Sequence, residues 1–384
     1  MQMDFGPEQV ALRRQVRGLI DEHVADDWQT MFIDEDTWRQ TLDFCAVLAD
    51  HDLLTPSWPA EHGGRASSIW DDLVIAEEMW ADNEPRGPQY MNVNWIGPAI
   101  MHFGTAEQQA HFLPRMSRGE IVWGQGFSEP EAGSDLAGLR TTAVLDGDHF
   151  VVNGTKVWQS YGDIADYYFL LVRSQPGSTR SAGMSVLLVD MSLPGISVSE
   201  FDTVLGRHRI TETAFQDARI PVSSLLGTMH DGWNVVRQAL AYERVGIPQY
   251  SRAVRVLSRL AEEYGADWDP TAVREFAQSV AYARAAELTT YRAADAKASG
   301  TMRPEISSVA RLHNALLERR VAETSERLGR RALLVGGSDA GAVAHGEIET
   351  HWRNAPTVPV AAGSVEIQME IVAANGLGLP RKAQ

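Results

Sequence analysis

Glu243 lies on what the sequence predicts to be the apolar face of a helix. The apolar residues that share this face recur at steps of three and four: Trp233, Val236, Leu240, Ile247, Tyr250 and Val254. A carboxylate in such surroundings loses hydration, which disfavours its charged form and raises its pKa. A buried acid of this kind either pairs with a neighbouring cation, as structural acids do, or serves as a base.

A second stretch that could do chemistry is the sequence GQGFSEPEAGSDLAG, residues 124–138. Ser128, Gly133 and Ser134 can direct hydroxyl and backbone N–H groups at an anion such as a pyrophosphate. The same composition is also typical of an ordinary turn. Trp158 and Ser160 lie two residues apart on a predicted strand and so share one of its faces, where a half-buried aromatic is common.

Metal and thiol chemistry have little support in the sequence. The histidines considered as ligands are scattered without ligand spacing: His102, His111, His208, His230 and His313. The single cysteine, Cys45, lies in an apolar-periodic segment, which indicates a small core residue and excludes a disulfide framework. We therefore expect no metal site and a reducing, cytoplasmic setting.

The whole chain limits the possible partners. Its 384 residues predict two or three domains, and its composition, 44% hydrophobic and 22% charged, is typical of a globular protein. A net charge of −17, from 34 basic and 51 acidic residues, disfavours a nucleic-acid partner. No stretch approaches the roughly 20 apolar residues of a membrane span, and the N-terminus lacks the apolar region of a signal peptide, so we expect neither membrane insertion nor secretion.

The elements that must position these residues change along the chain. Residues 6–123 have helical periodicity, residues 122–222 form short β-rich runs broken by turn residues, and helical periodicity returns after residue 232. Within the β region, Asn153-Gly154 is the strongest hairpin signal of the sequence. The sequence therefore predicts an α+β chain with a helical domain at 1–121, a β domain at 122–230 and a second helical domain at 231–384.

This order of elements, together with several motifs, closely resembles the acyl-CoA dehydrogenase family of flavoproteins. The motifs appear in family order along the whole chain: PSWPAEHGG at 56–64, the SEPEAGSD loop, NGTKVWQS at 153–160, VGGSDAG at 335–341, and GSVEIQ followed by GLGLPR at 363–381. The resemblance implies a β-barrel or sandwich in the middle domain and a four-helix bundle at the C-terminus. It also implies FAD as cofactor and an acyl-CoA substrate that loses two hydrogens from its α and β carbons.

The resemblance assigns flavin contacts residue by residue. The positions that correspond to FAD contacts in the family are Gln125, Phe127, Ser128, Ser134, Trp158, Ser160, Gly336, Gly337, Ser364 and Glu366. Among them Trp158 would pack against the isoalloxazine, and the Gly336-Gly337 pair would approach the FAD of a neighbouring subunit. Phe127 stands where the family usually has a smaller aliphatic residue or a Tyr. Ser134, Arg244 and Ala362 correspond to positions near the substrate.

The base departs from the commonest family pattern. Many relatives carry a Glu before Gly and Thr, whereas residues 361–364 here read Ala-Ala-Gly-Ser, so Ala362 occupies that position without a carboxylate. The Ala362 N–H would still polarise the thioester carbonyl. A minority of the family places the base on the first long helix of the C-terminal domain, where Glu243 and Arg244 correspond. The resemblance thus implies Glu243 as the α-proton base, with Arg244 as a substrate-positioning or structural cation.

Several alternatives remain within this fold. Residues 261–276 lack the Arg and aromatic pair with which many relatives grip a neighbour's FAD, a feature that resembles heteromeric members from steroid and cholesterol side-chain breakdown. The chain could thus form a homotetramer, or a heterotetramer with a paralogue in which it supplies the base. It could also be a non-catalytic structural subunit, or act on a carrier-protein thioester. By family analogy, an electron-transferring flavoprotein would accept the electrons.

Overall fold

The fold is described by a computed structural model. It describes residues 5–25, 28, 37–204, 206–243, 247–329, 333–336, 339, 341–361 and 363–380, and within these ranges the side chains of 37, 206–209 and 241–243 are outside the description.

The N-terminal third is helical, as the periodicity predicts. Its helices are α1 (Pro7–His23), α2 (Thr37–Asp50), α3 (Ile69–Ala81), α4 (Gln89–Met91), α5 (Gly97–Phe103) and α6 (Ala106–Ser117), with a π-helical turn, Asn92–Ile96, between α4 and α5. Pro7 opens α1, where its missing N–H leaves no helical hydrogen bond unmade. Ser68 and Thr105 begin α3 and α6 in capping boxes, which satisfy N–H groups that would otherwise lack partners.

The middle region is an eight-stranded sheet, which confirms the predicted β domain. Its strands are β1 (Trp123–Gly126), β2 (Thr142–Asp146), β3 (His149–Ser160), β4 (Tyr167–Arg173), β5 (Met184–Asp190), β6 (Ile196–Thr203), β7 (Gly206–Pro221) and β8 (Leu225–Leu226). The order is β6-β7-β3-β2-β4-β5-β8, with β1 paired in parallel to β4. Inward side chains such as Phe150, Tyr168 and Phe215 form the core against this sheet.

The hairpin predicted at Asn153-Gly154 is wrong. Both residues lie inside the single strand β3, where the pairing with β7 shifts register between Val152 and Gly154. Gly154 has φ +146°, so the conformational freedom that the dipeptide signalled serves a β-bulge instead of a turn. The turn between β2 and β3 is formed instead at Gly147, with φ +63°, where Asp146 pairs with His149.

The C-terminal region is helical again. Its helices are α7 (Gly232–Glu243), α8 (Tyr250–Tyr264), α9 (Pro270–Ala298), α10 (Pro304–Leu328), α11 (Glu347–Asn354) and α12 (Val365–Ile371). The prediction of one helix face running from Trp233 to Val254 is wrong in two respects. Ile247 and Pro248 are not helical, since proline removes a hydrogen bond and clashes with the preceding turn, and Val254 is 46% exposed.

The chain divides into two compact units, which we name by their content. The helical unit comprises Met1–Thr30, Ser67–Pro85 and Arg244–Gln384, and the sheet unit comprises Met31–Ala66 and Arg86–Glu243. Helices α1 and α3 therefore belong with the C-terminal helices. Because these units follow packing and not sequence order, the boundaries at 121 and 230 stay predictions.

Candidate functional site

Gln125 and Phe127 are placed by β1 and the residue that follows its end. β1 pairs in parallel with β4, so that Gln125 lies opposite Phe169. The carboxamide oxygen of Gln125 accepts a hydrogen bond of 2.6 Å from Trp95 Nε1. Phe127 is buried, with its ring centroid 5.9 Å from that of Phe169. The larger aromatic at this position is thus accommodated within the core of the sheet unit.

The loop that follows β1 is held by a buried ion pair. Lys156 Nζ lies 2.9 Å from Glu129 Oε1 and donates to the carbonyl oxygen of Phe127 at 3.0 Å. The Glu129 carboxylate also accepts the backbone N–H groups of Arg140 at 2.6 Å and Thr141 at 2.9 Å. The ends of the loop are therefore fixed by one carboxylate and one ammonium group.

Burial and pairing shift both of these pKa values. Lys156 is fully buried, and its desolvation lowers the pKa of the ammonium to about 8, against the attraction of Glu129. Burial acts to raise the pKa of Glu129, but the charge of Lys156 and the hydrogen bonds outweigh it, so the pKa is lowered. Sequence reasoning missed this pair. The signal that could have found it is a lysine at a strand position where an apolar residue is usual.

Trp158 is presented by a second bulge of β3. The pairing with β7 shifts between Val157 and Gln159, and Trp158 itself has φ +68°. Such backbone is costly for a bulky residue and is found where a side chain must be directed out of the regular pleat. The indole is 66% exposed and meets the Phe201 ring edge-on, with centroids 5.2 Å apart. The alternative interpretation of Trp158 as a half-buried strand aromatic is therefore wrong, and its contact with the flavin stays a prediction.

The three serines assigned to the flavin occupy different environments. Ser128 lies beside β3, where its carbonyl oxygen accepts the Val157 N–H at 2.9 Å. Ser134 is exposed in the loop. A Cβ atom added at its neighbour, Gly133, would meet no other heavy atom within 4 Å. Ser160 is half-buried at the end of β3, where it pairs with Ile210. The structure thus brings the loop and the Trp158 bulge together through residues 128 and 157.

The proposed base and its neighbours are only partly described. Glu243 is the last residue of α7, and its side chain lies outside the description. Arg244, Gly337 and Ala362 lie outside the described residues altogether. The roles assigned to these four residues stay predictions.

The remaining flavin candidates belong to the helical unit. Ser364 precedes α12, and its hydroxyl accepts the Ile367 N–H at 3.4 Å. Glu366 is exposed in the first turn, where hydrogen bonds to its own backbone N–H and to Ser364 lower its pKa. A Cβ atom added at Gly336 would meet no other heavy atom within 4 Å. Their roles toward FAD stay predictions.

The chain matches the three domains of one enzyme family. Residues 6–120 match the acyl-CoA dehydrogenase N-terminal domain, residues 124–218 its middle domain and residues 230–377 its C-terminal domain. A relative from Mycobacterium tuberculosis, acyl-CoA dehydrogenase IpdE1, is 33% identical over 97% of this chain and 98% of its own length. This chain belongs to the acyl-CoA dehydrogenase family. The predicted family and fold are thereby confirmed, and the chain is a flavin-dependent oxidoreductase.

Other relatives of this acyl-CoA dehydrogenase also match over nearly the full length. Acyl-CoA dehydrogenase FadE26 of Mycobacterium tuberculosis is 31% identical over 99% of both chains. Among solved structures, a protein described as the Tcur3481-Tcur3483 steroid ACAD superposes with a TM-score of 0.91 at 27% identity over 100% of both chains. A chain of the ChsE4-ChsE5 complex from Mycobacterium tuberculosis superposes with a TM-score of 0.88 at 29% identity, covering 99% of this chain and 100% of that chain.

The residues of the sheet unit fit a flavin. Acyl-CoA dehydrogenases depend on FAD, which needs an aromatic surface and hydrogen-bond donors along its ring and phosphates. Trp158 supplies an exposed indole, while Ser134 supplies an exposed hydroxyl beside the unobstructed Gly133 backbone. Across the described residues there is no helix long and apolar enough to cross a membrane, and no cluster of His, Cys, Asp or Glu suited to a metal ion.

Proposed function

We propose that this chain catalyses the FAD-dependent α,β-dehydrogenation of an acyl-CoA thioester to the trans-2-enoyl-CoA, with Glu243 as the base. The observation that carries the proposal is the joined pair of features in the sheet unit. The loop held by Glu129 and Lys156 meets the bulge that presents Trp158, through the hydrogen bond from Val157 to Ser128. These features supply a flavin-binding surface in a chain of a flavin-dependent family.

The choice of Glu243 rests on the side chains available to act as a base. Ala362 has no carboxylate, so the position that carries the base in many relatives cannot take a proton. Glu243 ends α7, whose preceding turns bury Val235, Val236 and Ala239. An acid that follows an apolar helix face is suited to work next to a fatty thioester, where desolvation brings its pKa toward neutral pH.

Each residue then has a defined task. Glu243 takes the α proton, and the Ala362 N–H hydrogen-bonds the thioester oxygen as negative charge develops there. Ser134 and Arg244 hold the substrate, and Trp158 packs against the cofactor to exclude water. When bound, FAD would supply the hydride acceptor, its N5 atom, for the hydrogen on the β carbon. An electron-transferring flavoprotein then collects the electrons.

A heterotetramer with a paralogue is the second candidate. Two full-length structural neighbours bear descriptions that name two components, Tcur3481-Tcur3483 and ChsE4-ChsE5, and the first is described as a steroid ACAD. Residues 261–276 also give no convincing match to the Arg and aromatic pair, about three residues apart, with which many relatives grip a neighbour's FAD. In this assembly the present chain would supply the base and the partner would complete the flavin site, with a steroid side-chain thioester as substrate.

The absorption spectrum of the purified chain separates the two assemblies. A flavin spectrum from this chain alone supports the homotetramer, whereas a folded, colourless protein that gains flavin only with a co-expressed paralogue supports the heterotetramer. In whichever assembly binds FAD, Glu243→Gln should retain the flavin but abolish its anaerobic bleaching by acyl-CoA. Glu263→Gln, at an exposed site on α8, is the matched control and should bleach normally. Rapid bleaching of Glu243→Gln would remove Glu243 from the mechanism.

A further inference from the structure

Trp95 lies in the π-helical turn between α4 and α5. In this turn, Asn92–Ile96, the Gly97 N–H donates to the carbonyl oxygen five residues earlier, at Asn92. Asn94 Nδ2 donates to the Tyr90 carbonyl oxygen at 2.7 Å. Single π turns within α-helices are rare and are frequent at functional sites, because the extra residue redirects the side chains that follow. The side chain that this π turn redirects is therefore a candidate for a functional role.

Buried amides fix this turn to the segment that leads into β1. Gln89 Nε2 donates to the carbonyl oxygens of Gly119 at 3.1 Å and Ile121 at 3.0 Å. Asn92 Nδ2 donates to the same Ile121 oxygen at 3.0 Å and to Gln89 Oε1 at 2.6 Å. Gln89 and Asn92 are both fully buried, so these hydrogen bonds are shielded from water. The π turn and β1 thus form one rigid arrangement.

The side chain that the turn directs at β1 is the indole of Trp95. Its Nε1 donates to Gln125 Oε1 at 2.6 Å, and the ring is 4% exposed. The Tyr90 ring packs edge-on against it, with centroids 5.4 Å apart. The indole therefore has little freedom, and its single donor is committed to Gln125.

This hydrogen bond decides how the Gln125 carboxamide is oriented. An indole N–H can only donate, so the atom that faces it must be the amide oxygen. The amide nitrogen, with its two donors, is consequently turned to the other side. Within the part of the chain that the structure describes, Gln125 Nε2 has no protein acceptor. Half-buried Gln125 thus presents donors that remain available to a ligand.

We propose that Trp95 is a positioning residue, which holds the Gln125 amide so that its N–H donors face an acceptor atom of the flavin ring. This inference rests on the proposed flavin site. A donor at a ring acceptor stabilises the negative charge of the reduced flavin, so the Trp95–Gln125 pair favours reduction. Trp95 acts through Gln125 and does not itself contact the cofactor.

The test replaces Trp95 by Phe, which keeps an aromatic ring and removes the indole donor. With its oxygen released, the amide can rotate and its donors no longer hold one direction. We expect the preference for reduced flavin to fall about tenfold, which lowers the two-electron reduction potential by about 30 mV. The potential is measured by equilibrating the purified, FAD-loaded holoenzyme with reference dyes, so that the readout does not depend on turnover.

Trp58→Phe is the matched control. Trp58 is also buried, and its Nε1 donates to the Val93 carbonyl oxygen of the same π turn at 2.9 Å. This variant loses an equivalent hydrogen bond without releasing Gln125, so its potential should stay at the wild-type value. A similar shift in Trp58→Phe and Trp95→Phe would show that the π turn is merely a structural support, and would overturn the proposal.

Gln125→Glu provides a second route that leaves Trp95 in place. Its carboxylate still accepts the indole N–H but has no donor for the flavin, so the potential should again fall. In the double variant, Trp95→Phe should add little to the shift caused by Gln125→Glu. Additive shifts, or a wild-type potential in Trp95→Phe, would refute the positioning role. A wild-type protein that binds no FAD, alone or with a co-expressed paralogue, would instead refute the proposed function.

Discussion

Replacement of Lys156 by Met should loosen the loop that follows β1. Met has nearly the length of the lysine stem but no ammonium group. The variant therefore leaves the Glu129 carboxylate buried without its cation, and it leaves the Phe127 carbonyl oxygen without its donor. Removing one partner of a buried ion pair costs about 3–5 kcal/mol. Because the N–H groups of Arg140 and Thr141 still solvate the carboxylate, we expect the lower end, about 3 kcal/mol.

The reverse change, Glu129→Gln, should cost less. Burial already lowers the pKa of Lys156 to about 8, so loss of the neighbouring carboxylate lets the amine release its proton at neutral pH. Because this pKa lies only slightly above neutral pH, deprotonation costs on the order of 1 kcal/mol. The remaining cost is one poorly satisfied backbone N–H, and because the Gln oxygen still accepts from one of the two N–H groups, we expect the lower end of the range, about 1 kcal/mol. We therefore predict that Lys156→Met lowers the free energy of unfolding more than Glu129→Gln does.

Two measurements check this reasoning. Urea unfolding of each variant gives the free energy of unfolding, and fluorescence titration gives the FAD dissociation constant. We expect Lys156→Met to weaken FAD binding at least about tenfold. This change in the dissociation constant corresponds to about 1.4 kcal/mol, the part of the variant's destabilisation that we attribute to the loop. The double variant Lys156→Met/Glu129→Gln should be more stable than the sum of the single effects, because the unpaired charge is gone. A Lys156→Met protein within 1 kcal/mol of wild type and with unchanged FAD affinity would refute the argument.

Two further predictions concern acid stability and backbone geometry. Burial acts to raise the pKa of Glu318, but the ion pair with Arg252 and the contact with His351 outweigh it and lower the pKa to about 2. Its folded pKa therefore lies below its unfolded value, so its contribution, about 3 kcal/mol, is present above pH 4.5 and is lost as the pH falls toward 2. Acid titration of Glu318→Gln should lack that slope, while Glu263→Gln retains it. Gly154→Ala should cost about 1–3 kcal/mol in urea unfolding, because its Cβ would lie 2.4 Å from Thr141 Oγ1 at φ +146°; an unchanged midpoint would show that the bulge adapts freely.

The sequence predicts the elements well where local patterns and tertiary packing agree. The helical periodicity predicted for residues 6–123 agrees with α1 to α6, and Ser68 and Thr105 cap α3 and α6 where their side chains satisfy N–H groups at the helix start. The hairpin prediction at Asn153-Gly154 fails because the dipeptide indicates only that positive φ is tolerated there. Both a hairpin turn and a β-bulge can use a residue with positive φ. Only the pairing with β7, which lies far along the chain, decides between them.

The candidate site is predictable only where a family motif names the residue. Gln125, Ser128 and Trp158 lie in motifs, and the structure places them on neighbouring segments of the sheet unit. Trp95 contacts Gln125, 30 positions away, and Lys156 pairs with Glu129, 27 positions away. Composition and periodicity report on neighbours within a few residues, so a lysine at an apolar strand position can mark a buried cation but does not identify its distant partner.

The attachment of α7 to the sheet bears on where a base can be placed. Gly232, which begins α7, lies so close to β5 that a Cβ on it would come within 2.6 Å of the Ser185 backbone. Only glycine permits this approach, and the helix then continues from that point to Glu243 at its end. Gln125, Trp158 and Glu243 consequently belong to one compact unit, whereas position 362 belongs to the other. The Glu243 backbone is therefore attached to the same compact unit as Gln125 and Trp158.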